Sequence, residues 1–122
     1  MTISVLDLAP PSGAKVYKNT DLDGTKAAVK ASSTTIYAII IDNSANAAAS
    51  FLKLWDVASG SVTVGTTDPD AIIKIAASVK KTIVFPEGLV FATALTAACV
   101  TAGGTAGTSN PSSDVDVSIV YA

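Results

Sequence analysis

Asp21-Leu22-Asp23-Gly24 has the spacing that opens a calcium loop, in which alternate carboxylates and a glycine turn surround a hard cation with oxygen. Such a loop ends on a glutamate at its twelfth position, and counting from Asp21 that position is Ser32. The segment reads first as an Asp/Gly turn, with a weak cation site at Asp21 and Asp23 as the alternative. Asp68-Pro69-Asp70 presents two carboxylates close together, the residue type that does acid–base work in glycoside cleavage. A proline between them and no second acidic cluster nearby favour a capped turn over a cation or catalytic site. Cys99 is the one cysteine and lies in the apolar run Ala97-Ala98-Cys99-Val100, which reads as a buried small hydrophobe. Gly103-Gly104-Thr105-Ala106-Gly107 lacks the Gly-Lys-Ser/Thr ending of a phosphate loop.

Two residue types are missing. The chain has no histidine and no arginine. Histidine is the usual general acid–base and a frequent metal ligand, and a cysteine nucleophile needs such a base beside it. Arginine is the preferred fork for phosphate and carboxylate. We therefore expect no enzyme, no cofactor and no metal. A formal net charge of −2 offers no electrostatic footprint for nucleic acid. Lys80-Lys81 opens an apolar segment, where lysine guards a sheet edge against stray pairing.

The elements that would position these residues are short strands. Thr34 to Asp42 is dense in β-branched and aromatic residues and apolar on both faces, which predicts a central strand. Asp114 to Tyr121 alternates, with Val115, Val117, Ile119 and Tyr121 on one side and Asp114, Asp116 and Ser118 on the other. Further strands are expected over Lys15–Lys18, Lys26–Ala31, Ser50–Val57, Ala71–Ala76, Lys80–Phe85, Leu89–Thr93 and Thr96–Thr101. Ala58-Ser59-Gly60-Ser61 reads as a hairpin connection, with Val62 and Val64 continuing the strand, and Pro86-Glu87-Gly88 as a tight turn. Ala102 to Ser113 is expected to be an exposed, mobile loop. Trp55 and Ile40, in the two most apolar strands, are expected to be buried, and core packing is the default for Tyr37, Phe51, Phe85, Phe91 and Tyr121.

Short strands bounded by Gly, Pro, Asn and Asp predict an all-β fold: an antiparallel β-sandwich, jelly-roll-like, over 14–122. Residues 1–13 read as an N-terminal arm. Ile3, Val5, Leu6 and Leu8 are its apolar contacts, and Pro10-Pro11-Ser12-Gly13 breaks regular structure. The alternative is that the arm pairs within its own sheet. Hydrophobic residues make up 49% of the chain and charged residues only 15%, against a usual charged share of about 25%. That balance predicts surface covered by partners. The longest strongly apolar run, Ile36 to Ile41, is far short of the roughly 20 residues of a spanning helix. The first residues show neither a basic region nor a long apolar core, so no membrane and no secretion are expected.

From Ile36 to Tyr121 the chain resembles the small β-sandwich accessory proteins of tailed-bacteriophage virions, of the head decoration or cement type. The resemblance rests on Ile-Asp-Asn-Ser at Ile41 to Ser44, Leu-Lys-Leu-Trp at Leu52 to Trp55 and Val-Gly-Thr-Thr-Asp-Pro at Val64 to Pro69. Gly-Leu-Val-Phe-Ala-Thr-Ala-Leu-Thr at Gly88 to Thr96 and the closing Val-Ser-Ile-Val-Tyr at Val117 to Tyr121 complete it. It implies a structural virion protein that binds an assembled phage head and stabilises it, assembled in the host cytoplasm. Its partners would be the major capsid protein or another virion protein, together with copies of itself, taken as a trimer because icosahedral shells offer threefold junctions. A tail, neck or baseplate accessory protein is the alternative, and a cellular carbohydrate-binding sandwich the third class.

Overall fold

The computed structural model describes residues 13–122. The arm with Ile3, Val5, Leu6 and Leu8 lies outside the described residues. Eight strands follow in chain order: β1 Lys15–Asn19, β2 Ala27–Lys30, β3 Thr34–Asp42, β4 Ser50–Trp55, β5 Ala71–Ile75, β6 Lys80–Phe91, β7 Leu95–Val100 and β8 Asp116–Tyr121. They form two four-stranded sheets, β1-β8-β3-β6 and β2-β7-β4-β5, and every pairing is antiparallel. The first strand pairs with the last, the second with the seventh, the third with the sixth and the fourth with the fifth.

The all-β sandwich expected from the strand pattern is the observed fold. Ile36, Ile39 and Ile41 of β3 and Val117 and Ile119 of β8 point inward from the first sheet. They meet Leu52 and Leu54 of β4 and Leu95, Ala97 and Cys99 of β7, all without solvent exposure. Fully burying a side chain of this size contributes about 1.5–3 kcal/mol, so this layer is the chief source of stability. The inward set on β3 changes parity at Tyr37, where the register slips against both neighbours. A bulge of this kind adds one residue and re-aims the strand. Ile40, expected to be buried, therefore faces outward and is only half-buried.

Two expected turns are replaced. Pro86-Glu87-Gly88 sits inside β6, because its neighbour β3 runs straight past it. Ile36 pairs with Leu89 and Ala38 with Val84, so Phe85 to Gly88 stand opposite Tyr37 alone. An edge strand tolerates proline in such an irregularity, since its outer N–H has no ladder partner to lose. Gly88 takes a φ of +81°, and a Cβ there would strike the Thr35 methyl. At the second place, Ser59–Ser61 is one turn of 3-10 helix and Val62 leaves the sheet. Val62 packs instead on Trp55 and Ala98 in a small second core on the outer side of the second sheet.

The connection from β7 to β8 lies over that same outer side, where Lys53 of β4 ties it down. Lys53 has no exposed surface, and its Nζ donates to the carbonyls of Gly104 at 2.5 Å and Gly107 at 3.0 Å. Burial pushes the ammonium below its ordinary pKa. The glycine-rich segment expected to be loose is thus anchored at two carbonyls.

Candidate interaction face

The two sheets differ in what covers their backs. On the second sheet, β7 is buried along its whole length, because the connections around it supply Val62 and the carbonyls over Lys53. On the first sheet the outward residues meet solvent. Val16 of β1, Val84 of β6 and Val90 of β6 are exposed at 63%, 64% and 65%. The register sets apolar residues of all four strands in line: Val16 faces Val120, Val120 faces Ala38, and Ala38 faces Val84. Cross-strand neighbours on one face lie about 5 Å apart, so the four side chains form one apolar row across the sheet.

The next row along the strands is Lys18, Ser118, Ile40 and Thr82, and the one after contains Asp116, Asp42 and Lys80. Lys18, Ile40, Asp42, Lys80, Asp116 and Ser118 line a depression of about 240 Å³. Hydrogen bonds from Ser44, with a smaller contribution from Lys80, hold the Asp42 carboxyl below its ordinary pKa. The face therefore grades from an apolar row to a mixed-charge rim, the layout of a protein-binding patch. Lys80 and Lys81 open β6, which is an edge strand, the position at which lysine guards against stray pairing.

The residues singled out for chemistry are occupied elsewhere. Asp23 Oδ1 accepts the Thr25 N–H at 2.7 Å, and its carbonyl accepts the Cys99 N–H at 2.8 Å, which makes the segment a turn docked on β7. Asp114 beside Asp21 pushes the Asp21 carboxyl up, with burial and Asp23 adding to it. No cluster of three or more acidic, cysteine or histidine residues suited to a metal occurs among the described residues. Asp68 accepts the Thr105 hydroxyl at 2.6 Å, while Asp70 accepts the Asp56 N–H at 2.6 Å, so the two carboxylates serve separate bonds. Cys99 is buried, and burial pushes its thiol up to about 12, far from the thiolate a nucleophile needs.

Sequence reasoning did not find this face. Val16, Val84 and Val90 read as ordinary strand residues, and their alternation carries no mark of which side would be left uncovered. Comparison with family models, with curated proteins and with solved structures finds no match.

Proposed function

We propose that this chain is a structural protein of a phage particle, a decoration or cement protein that binds the assembled head and stabilises it without catalysis. The carrying observation is the outer face of the first sheet, which no other described element covers, where Val16 and Val84 flank an apolar row beside a mixed-charge rim. A contiguous apolar patch on a small domain is where a partner docks. The strand order supports the reading: pairing first with last and fourth with fifth agrees with the jelly-roll-like sandwich expected from the strand pattern, a scaffold used in viral shells. The sugar-binding alternative draws no support from the aromatics, since Trp55 and Phe91 are buried and no aromatic is among the exposed large hydrophobics.

The test is made on particles of the phage that encodes the chain. Purified heads should contain the protein in stoichiometric amount. Heads stripped of it should rebind the pure protein and regain resistance to heat or chelator. Val84→Lys should fold and fail to rebind. Absence of the protein from purified particles would end the proposal, and density on the tail in particle images would move it to the tail-accessory alternative.

A further inference from the structure

The four edge strands of the two sheets are not guarded alike. β1 carries Lys15 and Lys18, β2 carries Lys30 and β5 carries Lys74. A lysine on an edge opposes pairing with another chain. β6 has its lysines, Lys80 and Lys81, at one end only. The far end, Gly88 to Phe91, carries no charged residue, and Val90 there is exposed.

Backbone direction shows what this end offers. Thr35 of β3 exchanges two bonds with Ala122, its N–H donating at 2.9 Å and its carbonyl accepting at 3.0 Å. Both polar groups of Thr35 are thus turned away from β6. Directly opposed residues of an antiparallel pair exchange either both bonds or none, in alternation. Val90 stands opposite Thr35, so its N–H and carbonyl turn outward, where no described strand lies. Its neighbours Leu89 and Phe91, opposite Ile36 and Thr34, bond to β3. Next to them along the edge, Phe85, Pro86, Glu87 and Gly88 line a depression of about 360 Å³. An outward backbone pair beside a side-chain depression is what receives an added strand.

Charge and register narrow the occupant. A second copy of β6 fits poorly. Antiparallel pairing centred on Val90 overlaps little beyond Leu89 to Phe91, because Ala92 and Thr93 donate their N–H groups to Asp56. Full-length antiparallel pairing sets Lys81 against Val90, and parallel pairing sets lysine against lysine. The complement of this edge is apolar beside Val84 and Val90 and acidic beside Lys80 and Lys81.

We infer that the open edge of β6 receives an extended segment of the head protein as an added strand. Val90 exchanges both backbone bonds with it, an apolar side chain of the segment enters the Phe85–Gly88 depression, and a carboxylate lies beside Lys80 and Lys81. This added strand depends on the head-binding reading and extends it, since Val84 belongs both to this edge and to the apolar row.

Amide hydrogen exchange tests it, with Leu89 and Phe91 as internal standards. In the free protein the Val90 amide should exchange fast and the amides of Leu89 and Phe91 slowly. Stripped heads are reloaded with the protein and exposed to heavy water, and the protein is then released under quench. Val90 should now be slowed by about a hundredfold or more, to the level of its neighbours. Val90→Pro deletes the N–H at an edge where folding loses no ladder bond. With Trp55 emission unchanged, it should weaken rebinding about tenfold, the value of one or two hydrogen bonds, while Val90→Thr keeps the N–H and should rebind like wild type. The exchange result decides alone if the proline variant unfolds. A Val90 amide that stays fast on loaded heads overturns the added strand, and if Val84→Lys still abolishes loading, the head-binding reading stands without it. A Val90 amide already slow in the dilute free protein shows that the chain fills its own edge and overturns it. Slowing that appears only as free protein is concentrated assigns the edge to a second copy and overturns it too. Heads that take up no protein end both readings together.

Discussion

The indole N–H of Trp55 donates to the carbonyl of Thr67 at 3.0 Å, and this bond fastens the connection between β4 and β5 onto the back of the second sheet. Val62 and Ala98 close over the ring, with Val57 and Val64 beside them. One side chain thus covers a sheet face and orders a long loop.

Trp55→Ala should therefore cost about 3–5 kcal/mol, the range for removing a buried large aromatic. Trp55→Phe keeps most of the packing but leaves the Thr67 carbonyl unpaired, and should cost about 1–3 kcal/mol. Denaturant titration gives both values. As the only tryptophan, Trp55 also reports on itself: native emission should be blue-shifted, and a fully hydrated spectrum would contradict the packing.

Asp56 ties the turn between β6 and β7. Its carboxylate accepts backbone N–H bonds from Thr93 at 2.8 Å, Ala92 at 3.1 Å and Ala94 at 3.3 Å. These bonds, that from Thr93 foremost, hold its pKa below the ordinary value. A depressed folded value means the stabilisation is present above the unfolded pKa of about 3.9 and is lost as pH falls through the folded value. The group is partly exposed, so Asp56→Asn should cost only about 1 kcal/mol at pH 7. The difference from wild type should vanish in strong acid. An Asn variant whose deficit stays constant from pH 7 to pH 2 would show that the charge is not what matters.

Gly88→Ala tests the irregularity in β6. The positive φ disfavours any side chain, and the new Cβ would meet the Thr35 methyl on the neighbouring strand. Left-handed backbone alone costs about 1–2 kcal/mol for an ordinary residue, and the collision adds to that. Thermal unfolding should show the loss. A neutral substitution would mean that β6 and β3 separate there at no cost.

Sequence made the strands legible where one face had to be apolar. The β-branched run of Thr34–Asp42 and the alternation of Val115, Val117 and Ile119 carry their burial in their residue types. It failed where different structures share one local grammar. Pro86-Glu87-Gly88 suits a turn and an edge-strand bulge equally, and only the continuing neighbour Ile36–Ala38 selects the bulge. The burial of Lys53 had no local mark, because its acceptors, Gly104 and Gly107, are about fifty residues away in sequence. Val84 and Ile83 look alike, yet one faces solvent and the other the core side, and the covering of each sheet was decided by loops whose course no periodicity records.

The same failure concealed Asn43, a polar residue just past the end of β3 that is fully buried. Its Nδ2 donates to the carbonyls of Ala76 at 3.0 Å and Ala48 at 3.1 Å, and its Oδ1 accepts from Ser50 Oγ at 2.8 Å and Asn46 Nδ2 at 2.9 Å. Asn46 passes the linkage on, its Oδ1 accepting the Ser113 N–H at 2.8 Å. Three connections at one end of the sandwich are thereby joined through two amides, Asn43 and Asn46. Asn43→Asp changes a single group, replacing the donating NH2 by an oxygen that faces two carbonyls. Ionised, that oxygen repels both and lies buried without a cation; protonated, it can still donate to one. The folded pKa must therefore rise above the unfolded value of about 3.9. The penalty is small below that unfolded value and complete once pH exceeds the folded one. At pH 7 it should reach about 3–5 kcal/mol, the cost of an uncompensated buried charge. Asn43→Ala, which leaves the carbonyls unpaired without adding charge, should cost about 1–3 kcal/mol at every pH. Urea titrations of both variants from pH 4 to pH 7 separate the two effects: the Asp variant should approach wild type as pH falls while the Ala variant stays parallel to it. An Asp variant with a pH-independent deficit would mean that water reaches the amide and that the network does not hold these connections together.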